Sequence, residues 1–152
     1  MGLHKGGGEG ILLIHPPAAK ACEPPGGPVR LAGALRGHGI PCRLWDANQE
    51  GQLALMAAAA RGAASADTWT RRAARHLPEN LQALRTWGLY GQPERYRRAV
   101  ADLDRLVAEA ARPWDVRLSL ADYEARDLSP LRSADLLRAA AEPEANPFHP
   151  WF

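Results

Sequence analysis

Polar residues follow two apolar segments near the start of the chain, where their side chains could bind a ligand. The first segment is the run 11–14, and the second begins at residue 41. In a parallel α/β sheet, ligands bind beyond the carboxyl ends of the strands. We therefore expect any site of this protein at the ends of the two segments. The candidate binding residues there are His15, Pro16, Pro17, Asp46 and Asn48.

A loop rich in proline and glycine, over residues 16–28, supplies further candidates. It contains the acid Glu23, which we group with Pro25 and Gly26 as candidate binding residues. Prolines fix φ and reduce the entropy lost on ordering, and glycines let the backbone approach another group closely. A stiff loop at the carboxyl end of a strand could therefore hold a ligand. The alternative is a rigid connector that sets the angle of the following helix.

The polar candidates also have structural interpretations. Asp46 and Asn48 could form a helix-capping turn, because both residue types cap helices well. His15 could bond to loop backbone instead of a ligand. The other histidines are scattered, with no pair at i, i+4 and no adjacent acid in a metal-binding pattern. The sequence predicts no metal site.

The elements that would position these residues form a predicted βαβ unit over residues 11–51. The run 11–14 is apolar on both faces, as in a central parallel strand, and the prolines after it favour extended backbone. Residues 29–39 predict a helix with a glycine C-cap at its end. Residues 41–48 predict a second strand. Strand, helix and strand in this order open a parallel sheet.

The rest of the chain is predicted to be mainly helical. Residues 1–10 would be a flexible lead, and residues 52–112 a large helical insertion whose second long helix could bend at Pro78. Residues 113–152 would hold a short strand over 116–120, a further helix and an aromatic tail that needs cover.

The predicted fold class is α/β, in a single truncated domain. Doubly wound sheets usually have about five or six strands, whereas this chain offers two or three. We therefore expect a partial Rossmann-like (flavodoxin-like) parallel sheet of two or three strands with a large, mainly helical insertion. Another chain, or the remainder of a longer protein, would complete the sheet.

Composition excludes several classes of partner. The formal charge is +2, from 19 basic and 17 acidic residues, and acids dilute the arginine-rich helical segments. We therefore expect no nucleic acid and no membrane as a partner. No apolar run approaches the roughly 20 residues of a membrane span, and the amino terminus lacks the apolar core of a signal peptide. These features predict a cytoplasmic protein.

Four stretches of the sequence resemble the start of the cobalamin-binding domain of cobalamin-dependent radical SAM proteins: 11–17, 23–26, 31–39 and 44–48. Domains of that family begin with an apolar strand ending in Pro-Pro, then a Pro/Gly loop, a helix running into a glycine and a second strand ending in Asp-x-Asn. Residues 128–135 and 146–148 are similar to the inter-strand region of one subgroup. The resemblance implies that cobalamin is the ligand of the candidate residues.

The residues that are absent limit what the resemblance implies. The family holds a [4Fe–4S] cluster in a Cys-x3-Cys-x2-Cys triad, which Cys22 and Cys42 cannot form. The iron–sulfur cluster and S-adenosylmethionine are therefore expected only in a longer, family-like protein. Asn48 stands where other cobalamin proteins carry the cobalt-binding histidine of Asp-x-His-x-x-Gly, and we interpret that spacing match as coincidence.

Two functions of different class follow from the sequence. The first is the cobalamin-binding portion of a radical SAM enzyme, not catalytic by itself, whose partner would be the missing carboxyl-terminal part of such a protein. The alternative is a non-enzymatic helical protein-interaction module, suggested by the strand-poor middle and the aromatic carboxyl terminus.

Overall fold

The computed structural model describes residues 10–17, 23–125, 127–129 and 131–151, which combine helices with two small sheets. The predicted α/β class is confirmed at this level. The elements in chain order are β1 (Ile11–His15), α1 (Gly26–Gly37), β2 (Cys42–Asp46), α2 (Ala47–Gly62), α3 (Thr68–Arg75), α4 (Leu77–Leu84), α5 (Pro93–Ala111), β3 (Val116–Leu118), β4 (Tyr123–Ala125) and α6 (Ser133–Ala141). The predicted lead over 1–10 lies outside the described residues except for Gly10.

The strands β1 and β2 pair in parallel and are joined by α1, as the sequence predicts. The helix ends in a Schellman motif, in which Gly39 has a φ of 71°. The Gly39 N–H donates to the Arg36 carbonyl, and the Ile40 N–H donates to the Leu35 carbonyl. A glycine is required here because its positive φ would strain any side chain with a Cβ.

Helix α1 begins at Gly26, earlier than the predicted start after Pro28. The first four N–H groups of a helix have no intrahelical acceptor, so the missing N–H of Pro28 costs nothing at this position. Gly26 therefore belongs to the first turn of α1 and not to the preceding loop.

The second strand ends at Asp46, and Asn48 lies inside α2 and not at the end of the strand. The cause is a side-chain cap, because Asp46 Oδ1 accepts a hydrogen bond of 2.9 Å from the Gln49 N–H. The helix can therefore start directly after the strand, and the predicted unit boundary at residue 51 falls within α2.

The predicted insertion over 52–112 forms the main hydrophobic core. Helices α2, α3 and α4 all pack on α5. The predicted long helix is two helices that meet at His76, and Pro78 lies in the first turn of α4. The buried core residues are Leu55, Met56, Ala59, Ala73, Leu77, Leu103, Leu106, Val107, Ala111, Leu118 and Phe148.

The third predicted strand does not join the parallel sheet. It forms β3, which pairs antiparallel with β4 and places Val116 opposite Ala125. The connection over 119–122 is a short turn, whose Ser119 Oγ accepts from the Ala121 and Asp122 N–H groups. A parallel pairing would need a long crossover instead. The parallel sheet therefore has two strands within the described part of the chain.

The aromatic tail is partly covered by this chain itself. Phe148 is 1% exposed and belongs to the core. Asn146 Oδ1 accepts from the Phe148 N–H at 2.9 Å, and Trp114 Nε1 donates to the Glu144 carbonyl at 3.3 Å. Phe148 therefore has the cover that the tail was expected to need, while Phe152 and the side chain of Trp151 lie outside the described residues.

Candidate functional site

The parallel register brings two candidate residues together at the carboxyl edge of the sheet. His15, the last residue of β1, is in register with Asp46, the last residue of β2. Paired strands lie about 4.8 Å apart, so the two residues are neighbours. Helix α2 starts at the next residue and contacts β1. We name His15, Asp46, Asn48 and Gln52 the carboxyl-edge cluster.

The buried face of α2 changes from apolar to polar as it reaches this edge. In its later turns the face consists of Leu55, Met56 and Ala59, which belong to the core. In its first turns the same face carries Asn48 and Gln52, each 3% exposed. These two amides stand at i and i+4, on one side of the helix. The helix thus directs uncharged polar groups inward beside the strand ends.

Four buried polar atoms of this cluster have no hydrogen-bond partner among the described residues: His15 Nε2, Asn48 Oδ1, Gln52 Nε2 and Gln52 Oε1. The large majority of buried side-chain polar atoms in native proteins are hydrogen-bonded. Each unpaired buried group costs about 1–3 kcal/mol. Partners for these atoms would therefore come from solvent, from a ligand or from residues outside the described ranges.

The capping interpretation holds for Asp46 and is wrong for Asn48. Asp46 accepts from the Gln49 N–H and caps α2, so this carboxylate has a structural role. Asn48 is buried within the first turn and does not cap the helix. At His15, Nε2 accepts no bond from, and donates none to, described loop backbone. Of the predicted residues, His15 and Asn48 therefore each have a buried polar atom without a partner among the described residues.

The loop that contains the other candidate residues connects β1 to α1, so it begins at the carboxyl end of β1. Pro16 is exposed and Pro17 is half-buried, directly after the strand. Across the undescribed residues 18–22, Glu23 is exposed, and Pro25 occupies the cap position of α1. A Cβ built on Gly26 meets no described atom within 4 Å.

Gln52 was not predicted from the sequence. It sits in an alanine- and leucine-rich helical run, where it resembles an ordinary surface residue. The available signal was its spacing, because Asn48, Gln52 and Leu55 recur with the period of one helix face. A polar pair that continues an apolar stripe predicts buried amides.

A groove of the described surface lies away from the carboxyl-edge cluster. It has a volume of about 560 Å³, lies between α3, α4 and α5, and carries mixed charges. Its cations are Arg72, Arg95 and Arg98, and its anions are Glu79, Glu94 and Asp102. Because opposite charges alternate there, the groove favours neither an anion nor a cation.

No group of three or more His, Cys, Asp or Glu side chains is arranged to hold a metal ion within residues 10–17, 23–125, 127–129 and 131–151. Over these same ranges, no helix has the length and apolar character needed to cross a bilayer.

Comparison of the chain with protein-family models, curated proteins and solved structures finds no match.

Proposed function

We propose that this chain is the cobalamin-binding, Rossmann-like portion of a radical SAM enzyme and does not catalyse the radical reaction itself. The observation that carries the proposal is the set of unpaired buried atoms in the carboxyl-edge cluster. They lie at the end of a parallel strand pair where α/β proteins bind ligands. The resemblance of residues 11–17 and 44–48 to the family supplies cobalamin as the ligand.

The neutral polar side chains of the carboxyl-edge cluster could form hydrogen bonds with the groups at the edge of the cobalamin ring. The corrin ring carries primary carboxamides, whose N–H and carbonyl groups pair with neutral side chains. Asn48 and Gln52 would hold such groups, with His15 beside them. When bound, cobalamin supplies a cobalt centre for the transfer of a one-carbon group. The protein residues bind and orient the ring, and Asp46 fixes the start of α2.

The radical step needs groups that this chain does not carry. Its two cysteines, Cys22 and Cys42, are too few for a cluster triad. Cys42 is half-buried, and its Sγ donates to the Ala32 carbonyl at 3.6 Å, so it packs against α1 as a small side chain. An iron–sulfur cluster and S-adenosylmethionine would belong to a longer, family-like protein.

Titration with hydroxocobalamin, followed by its visible spectrum, tests the proposal. We expect a saturable spectral change with the 152-residue chain. Gln49 is exposed on α2, outside the carboxyl-edge cluster. The control variant Gln49→Leu should therefore show the same spectral change as the unmodified protein. The proposal fails if the spectrum stays unchanged both here and with a longer protein that supplies further strands.

A protein-interaction module is the second candidate, favoured by the open face of the parallel sheet. Leu12 and Ile14 of β1 are 53% and 48% exposed. Parallel sheets are normally covered on both faces. This function predicts a stable, monodisperse chain that co-purifies with a partner, and an insoluble or molten chain would contradict it.

A further inference from the structure

We propose that two copies of this chain form a dimer in which α6 of each copy packs on the open face of the parallel sheet of the other. The contact does not involve the carboxyl-edge cluster and does not depend on cobalamin. It goes beyond the open sheet face noted above, because it names the element that covers this face and the molecule that supplies the element.

The parallel sheet has one face covered by α1 and one open face. Cys42 points toward α1, because its Sγ donates to the Ala32 carbonyl at 3.6 Å. Side chains alternate along a strand, and residues in register point to the same side. The side chains on the side away from α1 are therefore Leu12, Ile14, Arg43 and Trp45, which we name the open sheet face.

Helix α6 turns its polar side toward the protein. Asp135 Oδ2 accepts from the Ser129 N–H at 3.0 Å, and Arg138 Nη2 donates to the Asp127 carbonyl at 2.8 Å. Arg138 also lines a groove between α6 and the β3–β4 hairpin. These hydrogen bonds fix the orientation of the helix by its polar residues.

The side of α6 opposite these anchors is mainly apolar and faces solvent. It consists of residues at i, i+3, i+4 and i+7, which we name the outer face of α6: Ser133, Leu136, Leu137 and Ala140. Leu136 is 54% exposed and Leu137 is 73% exposed. A surface helix normally turns such a stripe toward the core. The orientation of α6 is the reverse, so its apolar residues are placed for a partner.

The two uncovered surfaces are complementary in type and in length. Helices packed on the faces of a parallel sheet are the usual arrangement of α/β proteins. The nine residues of α6 span about 13 Å, and the five residues of β1 span about 16 Å. A second copy supplies both surfaces, and a two-fold axis allows both contacts in one dimer.

Charge favours the same pairing. Residues 23–46, which include α1 and β2, contain three arginines and two acids, a net charge of +1. Residues 127–144, which include α6, contain four acids and two arginines, a net charge of −2. Opposite charges steer and orient association. The α6 segment of one copy should therefore be attracted to the sheet unit of the other copy.

Sedimentation equilibrium of the 152-residue chain and three variants is the first test. The unmodified chain should reach twice its monomer mass. Leu137→Asp and Leu12→Asp should each weaken dimerisation by at least about 30-fold, because each places a carboxylate in an apolar contact. Trp87→Asp is the control and should dimerise normally, since Trp87 is 89% exposed and lies outside both faces.

The replaced leucines are exposed, so the circular dichroism spectra of the variants should match that of the unmodified chain. If Leu12→Asp loses its fold, Ile14→Asn replaces it. An unmodified chain that stays monomeric up to about 0.5 mM would overturn the inference. A dimer that both leucine variants leave intact would overturn it as well.

Mixing Leu12→Asp with Leu137→Asp is the second test, because it identifies which surfaces meet. The intact α6 of the first variant can pack on the intact sheet of the second. An equimolar mixture should therefore regain part of the association that each variant alone has lost. A mixture as monomeric as the separate variants would show that α6 does not pack on the sheet, and the inference would be wrong.

Discussion

The amide of Gln52 is buried, and neither of its polar atoms has a partner among the described residues, so we expect it to lower the stability of the ligand-free chain. Gln52→Leu replaces it with an apolar side chain of similar size. We predict that this change raises the free energy of unfolding by about 1 kcal/mol, because the uncompensated desolvation disappears. Urea denaturation measures the effect.

The matched control for this prediction is Gln49→Leu, at an exposed position one turn away. It should alter the free energy of unfolding by no more than about 0.5 kcal/mol. A loss of stability in Gln52→Leu would mean that the amide makes hydrogen bonds in the folded protein, and the carboxyl-edge cluster would then be structural.

Sequence reasoning predicted His15, Asp46 and Asn48 but could not separate their roles. All three residues are predicted at or just after the end of a strand, so this position alone does not distinguish their roles. The separation depends on where α2 begins, and this in turn depends on one hydrogen bond from the Gln49 N–H to Asp46. Gln52 was overlooked because helix propensity describes a residue in isolation, whereas its burial comes from tertiary packing.

At the level of the elements, Asp67 caps α3 and makes its stability dependent on pH. Its carboxylate accepts from the Thr70 hydroxyl at 2.7 Å and from the N–H groups of Thr70 and Trp69. These hydrogen bonds, the Thr70 hydroxyl foremost, hold the pKa of Asp67 below its ordinary value of 3.8. The stabilisation is therefore present above pH 3.8 and is lost as the pH falls through the lower, folded-state pKa.

We predict that Asp67→Asn reduces the acid sensitivity of the protein, because an asparagine cap does not titrate. Melting temperatures recorded between about pH 5 and pH 2 should fall less steeply for this variant than for the unmodified chain. Asp127→Asn, at an exposed position outside any cap, is the control and should leave the slope unchanged. Equal slopes for the unmodified chain and Asp67→Asn would refute the capping role.

Elements with strong local signals were predictable, and the others were not. The apolar run and Pro-Pro identified β1, and Gly39 identified the end of α1. By contrast, β4 has only three residues, Tyr123–Ala125, and its strand character comes from pairing with β3. The break at His76 was predicted near Pro78, but Pro78 fits within the first turn of α4.

For the whole molecule, the location of the core was the least predictable feature. Helical periodicity shows that a face is covered but does not identify the covering element. The segment 52–112 therefore appeared to be an insertion on a sheet, whereas its helices pack together around α5. Whether the small parallel sheet belongs to a Rossmann-like fold stays a proposal.

The carboxyl-terminal tail packs into this core through Phe148, so truncating this side chain should strongly destabilise the protein. We predict that Phe148→Ala lowers the free energy of unfolding by about 3–5 kcal/mol, because Phe148 is fully buried. Leu131→Ala is the control, since Leu131 is 93% exposed and should change stability by less than about 0.5 kcal/mol. Similar urea midpoints for both variants would show that the tail does not dock.

The most direct test of the central claim is thermal melting of the unmodified chain and Gln52→Leu, each with and without hydroxocobalamin. Without ligand, Gln52→Leu should melt at the higher temperature. A ligand at 100 times its dissociation constant stabilises a protein by about 2.7 kcal/mol. Hydroxocobalamin should therefore raise the melting temperature of the unmodified chain above that of the variant. Equal ligand-induced shifts in both proteins, or none in either, would contradict a binding role for the carboxyl-edge cluster.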